Sequence, residues 1–231
     1  MFDAVLLEFE NVIASTAAAR RDALRRSLAL DGVALDEAAY GEHWAALRTR
    51  DAAAVAASTA GVALDHTALD LLVLRAERAF AEQVGKGLTL APGAIAFVKH
   101  AHGRARLGLV TRASRREVEF VLGLGGLAAA FECIVTADDV AEPKPSPAGY
   151  AAAFARLARK RVIAPDRTLA IEDALPGIRA AHAAGARCVA VGTLQPYQAA
   201  AAEAYTASLD GHTLDSLFQL VTRGQERVIH E

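Results

Sequence analysis

The sequence predicts an α/β protein: a mainly parallel sheet with helices between its strands, interrupted after the first strand by an all-helical insertion. Three observations predict it. From residue 90 onward, short apolar runs alternate with stretches of helical periodicity. A single short apolar run, Ala4–Leu7, stands apart near the start. No strand signal separates residues 16 and 85. The sheet-bearing core is therefore placed at 1–15 and 86–231, and a helical cap at 16–85.

Ala4–Leu7 reads as a buried strand. Residues 17–30 carry Leu24, Leu28 and alanines at helical spacing, with Thr16 as N-cap and Asp31-Gly32 as a stop. Residues 36–49 and 67–84 read as helices, and the alanine-rich 52–62 as helical in part. In the core, Pro92-Gly93 precedes a helix at 94–102, followed by a strand at Arg106–Val110. A helix at 115–122 is broken by Gly123, Gly125 and Gly126. Strands are predicted at 133–136, 168–171 and Arg187–Val191, with helices at 149–159 and 178–184 between them. The polar tail, 223–231, is expected at the periphery.

The formal net charge of −2 gives no field that would attract nucleic acid or an anionic membrane. No apolar run is long enough to span a bilayer, and the start has no basic region followed by a long apolar stretch, so a cytoplasmic protein is expected. Cys133 and Cys188 fall in separate strands and read as buried packing residues in a reducing compartment.

Polar residues gather where the strands end. Glu8 and Glu10 follow the first strand, and if that strand continues, residues two apart share a face. Thr111, with Arg112 and Ser114, follows the second strand. Asp138-Asp139 and a loop carrying Lys144 follow the third, and Glu172-Asp173 the fourth. Open α/β sheets bind ligands at this edge. Carboxylates from two strands suit Mg²⁺, a hydroxyl donates to a phosphate oxygen, and a lysine neutralises phosphate charge. Together they fit phosphoryl transfer. Each alone has a plainer reading: glutamates at a strand end are commonly solvated, Thr111 is equally a helix cap, and Lys144 a surface lysine. Arg20, Arg48 and Arg50 in the insertion are candidates for gripping an anionic substrate, although such helix arginines more often face solvent.

Four stretches carry a family resemblance: Leu7-Glu8-Phe9-Glu10-Asn11-Val12, Leu109-Val110-Thr111-Arg112, Pro143-Lys144-Pro145-Ser146-Pro147, and Ile171-Glu172-Asp173-Ala174-Leu175-Pro176-Gly177-Ile178. In this order and spacing the chain resembles the haloacid dehalogenase-like superfamily, nearest its β-phosphoglucomutase and phosphoglycolate phosphatase subgroup. The resemblance implies a Rossmann-like core with a helical cap, Mg²⁺ as cofactor, and a small phosphorylated metabolite as substrate, with the protein a monomer or homodimer. It places the nucleophile at Glu8, the acid/base at Glu10, phosphate ligands at Thr111 and Lys144, and metal ligands at Glu8, Glu10, Glu172 and Asp173. Arg112, Arg20 and Arg50 are the further substrate-binding candidates.

The family's first motif is Asp-x-Asp-Gly, and here both aspartates are glutamate and the glycine is Asn11. Asparagine tolerates positive φ, so the turn is expected to survive. The extra methylene of Glu8 displaces the attacking oxygen by about 1 Å, a shift able to cost about a hundredfold in rate. Two expectations follow: a Mg²⁺-dependent phosphomonoesterase of weak turnover, or a disabled scaffold that binds a phosphometabolite or a protein. Dehalogenation needs no metal and leaves Glu172-Asp173 without a purpose.

Overall fold

Six parallel strands form one sheet in the computed structural model, which describes residues 2–45 and 47–229. The strands are β1 (Ala4–Leu7), β2 (Arg106–Val110), β3 (Cys133–Val135), β4 (Thr168–Glu172), β5 (Arg187–Val191) and β6 (Ala204–Thr206), in the order β3-β2-β1-β4-β5-β6. Every neighbouring pair is parallel. The chain runs outward from β1 through β2 to β3, then crosses back to β4. The crevice beside β1 is thus the topological switch point, where such sheets bind ligands.

Strand residues alternate between two apolar layers, as a period of two requires. Val5, Leu7, Leu107, Leu109, Leu169 and Ile171 face one layer, completed by α5 (Ala94–Ala101), α6 (Arg115–Leu124) and α10 (Leu214–Ile229). Ala4, Leu6, Ala170 and Cys188 face the other, against Tyr150 and Ala153 of α7 (Ala148–Ala158) and Ile178 and Ala181 of α8 (Leu175–Ala183). Cys133 and Cys188 are buried free thiols in β3 and β5.

Between β1 and α5 the chain is helical: α1 (Ala17–Ala29), α2 (Glu37–Ala39), α3 (Thr49–Thr59) and α4 (His66–Lys86). These helices enclose an apolar cluster of their own, with Leu24, Leu28, Tyr40, Trp44, Ala53 and Leu72. The helix predicted over 36–49 is shorter. After Ala39 the chain widens into a π turn, Tyr40–Trp44, closed by Ala45 N–H donating to Tyr40 O at 2.8 Å. Residue 46 lies outside the described residues. Arg48 is extended, and α3 restarts at Thr49. The wide turn seats both Tyr40 and Trp44 in the cluster, a tertiary demand that propensity does not record.

The insertion joins the sheet through two crossing strands of chain. Ser15 N–H donates to Thr89 O at 3.0 Å and Ala91 N–H to Ile13 O at 2.9 Å. At the far end, β6, a short helix α9 (Pro196–Ala199) and α10 were not anticipated. Residues 223–229 continue α10, while residues 230 and 231 of the predicted tail lie outside the described residues. Among the described residues no helix is long and apolar enough to cross a membrane.

Candidate active site at the sheet's switch point

β1 ends at Leu7, so the premise that Glu8 and Glu10 share one strand face is not met. Beyond Leu7 the chain turns through Asn11, which adopts φ 57°, the left-handed conformation expected of it. With the strand ended before them, the two glutamates go different ways. Glu8 is buried in the centre of the site, whereas Glu10 faces the start of α1.

Glu8 is held on several sides. Its Oε1 accepts the Phe9 N–H at 2.8 Å, the Glu10 N–H at 3.3 Å and the Thr111 hydroxyl. Its Oε2 accepts from the Lys144 ammonium. Burial pushes the Glu8 carboxyl up, but the Lys144 charge and the surrounding donors outweigh it, and the net shift is downward. Glu8 is therefore an anion in the folded protein.

Lys144 bridges three segments. Its Nζ also donates to Val110 O at 2.9 Å and to Glu172 Oε1 at 2.5 Å. The Tyr150 hydroxyl donates to the same Glu172 oxygen. Burial and the nearby Glu8 charge push Glu172 up to about 7 against the pull of Lys144. Its side chain lies over Gly177 at the start of α8. A Cβ there would stand 1.9 Å from Glu172 Oε2, so only glycine leaves room. Asp173 accepts the Asn11 amide at 2.9 Å, and burial together with the Glu8 charge pushes it up to about 6.

Glu10 caps a helix. Its carboxylate accepts Thr16 N–H and Thr16 hydroxyl, both at 2.7 Å, and Ala17 N–H at 3.0 Å. Thr16 occupies the predicted N-cap position, but its hydroxyl donates to Glu10 and makes no cap bond itself. The carboxylate of Glu10 does that work from outside the helix, where the dipole favours an anion.

The cavity above Glu8 measures about 680 Å³, and Thr111, Arg112, Lys144 and Asp173 line it. Arg112 is exposed there and makes no hydrogen bond or ion pair with the described residues. Arg20 is engaged: its Nε donates to Glu117 at 3.1 Å, and Glu10 lies 3.6 Å from its Nη2. Arg50 pairs with Asp70 and approaches His66 Nδ1 at 3.2 Å. Arg48 donates to Val140 O at 2.6 Å, joining the insertion to the loop after β3.

Two further residues, Glu117 and Tyr150, carry no reading in the sequence analysis. Glu117 forms a capping box with Ser114 and binds Arg20. The Ser-x-x-Glu signature was its available signal. Tyr150 fixes Glu172 with no local signal in the sequence. Asp139, expected as a loop or capping residue, accepts from Thr136, Arg115 and Arg156 and braces the end of β3.

Among the described residues no three carboxylate, imidazole or thiol groups stand as a ready-made metal cage. Mg²⁺ does not require one, since it commonly takes one or two carboxylates, substrate phosphate and water. Glu8 and Asp173 line one cavity, and among the described residues the Asp173 carboxylate accepts from the Asn11 amide and pairs with no cation. A hard divalent cation fits that donor set.

A parallel sheet of order β3-β2-β1-β4-β5-β6, a helical insertion after β1 and this carboxylate–hydroxyl–lysine cluster at the switch point define a Rossmann-like hydrolase scaffold. The chain matches the haloacid dehalogenase-like hydrolase family over residues 2–185 and belongs to it. It is similar to validoxylamine A 7'-phosphate phosphatase of Streptomyces hygroscopicus subsp. limoneus, 37% identical over 98 residues, 42% of this chain and 44% of that protein. It is also similar to the bifunctional riboflavin kinase/FMN phosphatase of Arabidopsis thaliana, 35% identical over 118 residues, 50% of this chain and 30% of that protein. The chain thus spans less than half the length of these two curated relatives. Among solved structures, CbbY from Rhodobacter sphaeroides in complex with phosphate superposes with a TM-score of 0.82 at 26% identity, covering 94% of this chain and 100% of that one. β-Phosphoglucomutase from Clostridium difficile, at 18% identity and a TM-score of 0.80, covers 96% of this chain and 98% of that one and shares the fold.

Proposed function

We propose that the chain is a Mg²⁺-dependent phosphomonoesterase of slow turnover, acting on a small phosphorylated metabolite. The observation that carries it is the anionic Glu8 in the wall of a cavity of about 680 Å³, held by Thr111, Lys144 and two backbone N–H groups, with the unpaired Arg112 lining the same cavity. Phosphatase relatives support the reaction class.

Glu8, Asp173 and Glu172 would hold the cation, with Glu10 contributing once released, and the cation would neutralise phosphoryl oxygen charge. In the reaction, Glu8 forms an O–P bond as the ester P–O bond breaks, and the leaving oxygen takes a proton. Water then cleaves the acyl phosphate and frees phosphate. Lys144 holds Glu8 in place and offsets phosphate charge, while Thr111 and Arg112 donate to the non-bridging oxygens. Residues 16–85 act as the cap that excludes bulk water, with Arg20 and Arg50 on the cavity wall, each paired with a carboxylate. Proton transfer by Glu10 requires its carboxylate to leave the start of α1, which slows turnover.

The commitment of Glu10 to α1 also favours a second reading, a binding scaffold without turnover. A panel of phosphate monoesters assayed with Mg²⁺ separates the two. Hydrolysis by wild type that Glu8→Gln abolishes supports the enzyme. Inert wild type beside an active Glu8→Asp, Glu10→Asp double variant supports the scaffold.

A further inference from the structure

We propose that a side pocket beside Thr111 and Lys144 receives a compact apolar group of the phosphate ester, a ring or branched chain of about six carbon atoms. This rests on the phosphate-binding reading of the main cavity and adds the class of substrate. The pocket holds about 180 Å³ and shares Thr111, Arg112, Lys144, Leu47 and Arg48 with the main cavity. An ester bound through its phosphate at Thr111 and Lys144 therefore has a continuous path into it.

The chemistry of the two spaces differs. Carboxylates and guanidinium groups crowd the main cavity, whereas the side pocket adds Val110, Val135, Val140 and Pro143 to the residues it shares, with Asp51 and Glu142 as its own acids. Val110 and Val135 are strand residues buried to 2% and 1% exposure. Arg48, reaching Val140 O at 2.6 Å, ties the insertion to the opposite wall. Of the acids there, Glu142 accepts the Ser146 hydroxyl at 2.9 Å. An apolar cavity of about 150 Å³ accommodates benzene, so a six-membered ring fits the size. Hydroxyls set against Val110, Val135, Val140 and Pro143 would lose their hydrogen bonds to water, a penalty that an apolar group on that side escapes.

Calorimetric titration of the whole chain with Mg²⁺ present tests this with three probes: inorganic phosphate, methylphosphonate and benzylphosphonate. Wild type is expected to bind benzylphosphonate at least about tenfold more tightly than methylphosphonate, from the ring area removed from water. Val140→Phe and Ala141→Leu, which fill the pocket, should erase that advantage and leave methylphosphonate affinity unchanged. Ala141 is exposed, so its variant is expected to fold. Equal affinity of wild type for the two phosphonates, or an advantage kept in both variants, overturns the pocket assignment while the phosphate site stands. Failure to bind all three probes overturns the phosphate-binding reading and this inference with it.

Discussion

Glu8 and Glu10 stand two positions apart and do different work. Glu8 lies among donors that stabilise its charge, and Glu10 spends its charge on the exposed N–H groups of α1. Sequence spacing alone could not separate them, because β1 ends at Leu7 and the same-face rule of a strand stops there. Glu10→Ala is expected to lower stability by about 1–2 kcal/mol, the cost of a lost helix cap, read as a shift in the urea midpoint. Glu8→Gln should keep the fold and lower hydrolysis of any phosphate ester at least about a hundredfold in initial-rate assays. Thr111, Lys144, Glu172 and Asp173 were legible because strand ends in a parallel sheet point to one edge. Arg20 and Arg50 were legible only as charges. Their partners Glu117 and Asp70 are set by tertiary packing that no local pattern encodes.

Between elements, ion pairs fasten the helical insertion to the sheet. Arg20 of α1 meets Glu117 of α6, and Arg116 of α6 meets Glu77 of α4. A double-mutant cycle of Arg20→Met and Glu117→Gln should give a coupling of about 1–3 kcal/mol in unfolding experiments, because Glu117 is buried and charge-assisted. Asp139 plays a similar part inside the core, bracing β3 and α7 through Thr136, Arg115 and Arg156. Those partners overcome burial and hold its carboxyl well below the ordinary value of 3.8. The unfolded chain therefore takes up the proton first. Stability from Asp139 is present above about pH 4 and is lost as pH falls through the folded pKa. Asp139→Asn should lower stability at pH 7 by about 1–2 kcal/mol and flatten the acid limb of the stability–pH curve.

Across the whole molecule, the alternating β and α signals after residue 90 were enough to predict a parallel sheet, and the strand-free stretch before it predicted the helical insertion. The missed elements have physical reasons. β6 is three residues long and pairs only with β5, so it carries too little periodicity to read. α10 did carry a signal, with Leu214, Leu217, Phe218 and Val221 spaced three and four apart, and it packs on the same face of the sheet as α5 and α6. The central claim is that four distant segments meet at one phosphate site. Titration of inorganic phosphate into wild type and Thr111→Val, with Mg²⁺ present, tests it most directly. Saturable binding by wild type, weakened about tenfold by loss of the hydroxyl donor, is the predicted result; absence of binding in wild type, or equal affinity in the two proteins, would contradict it.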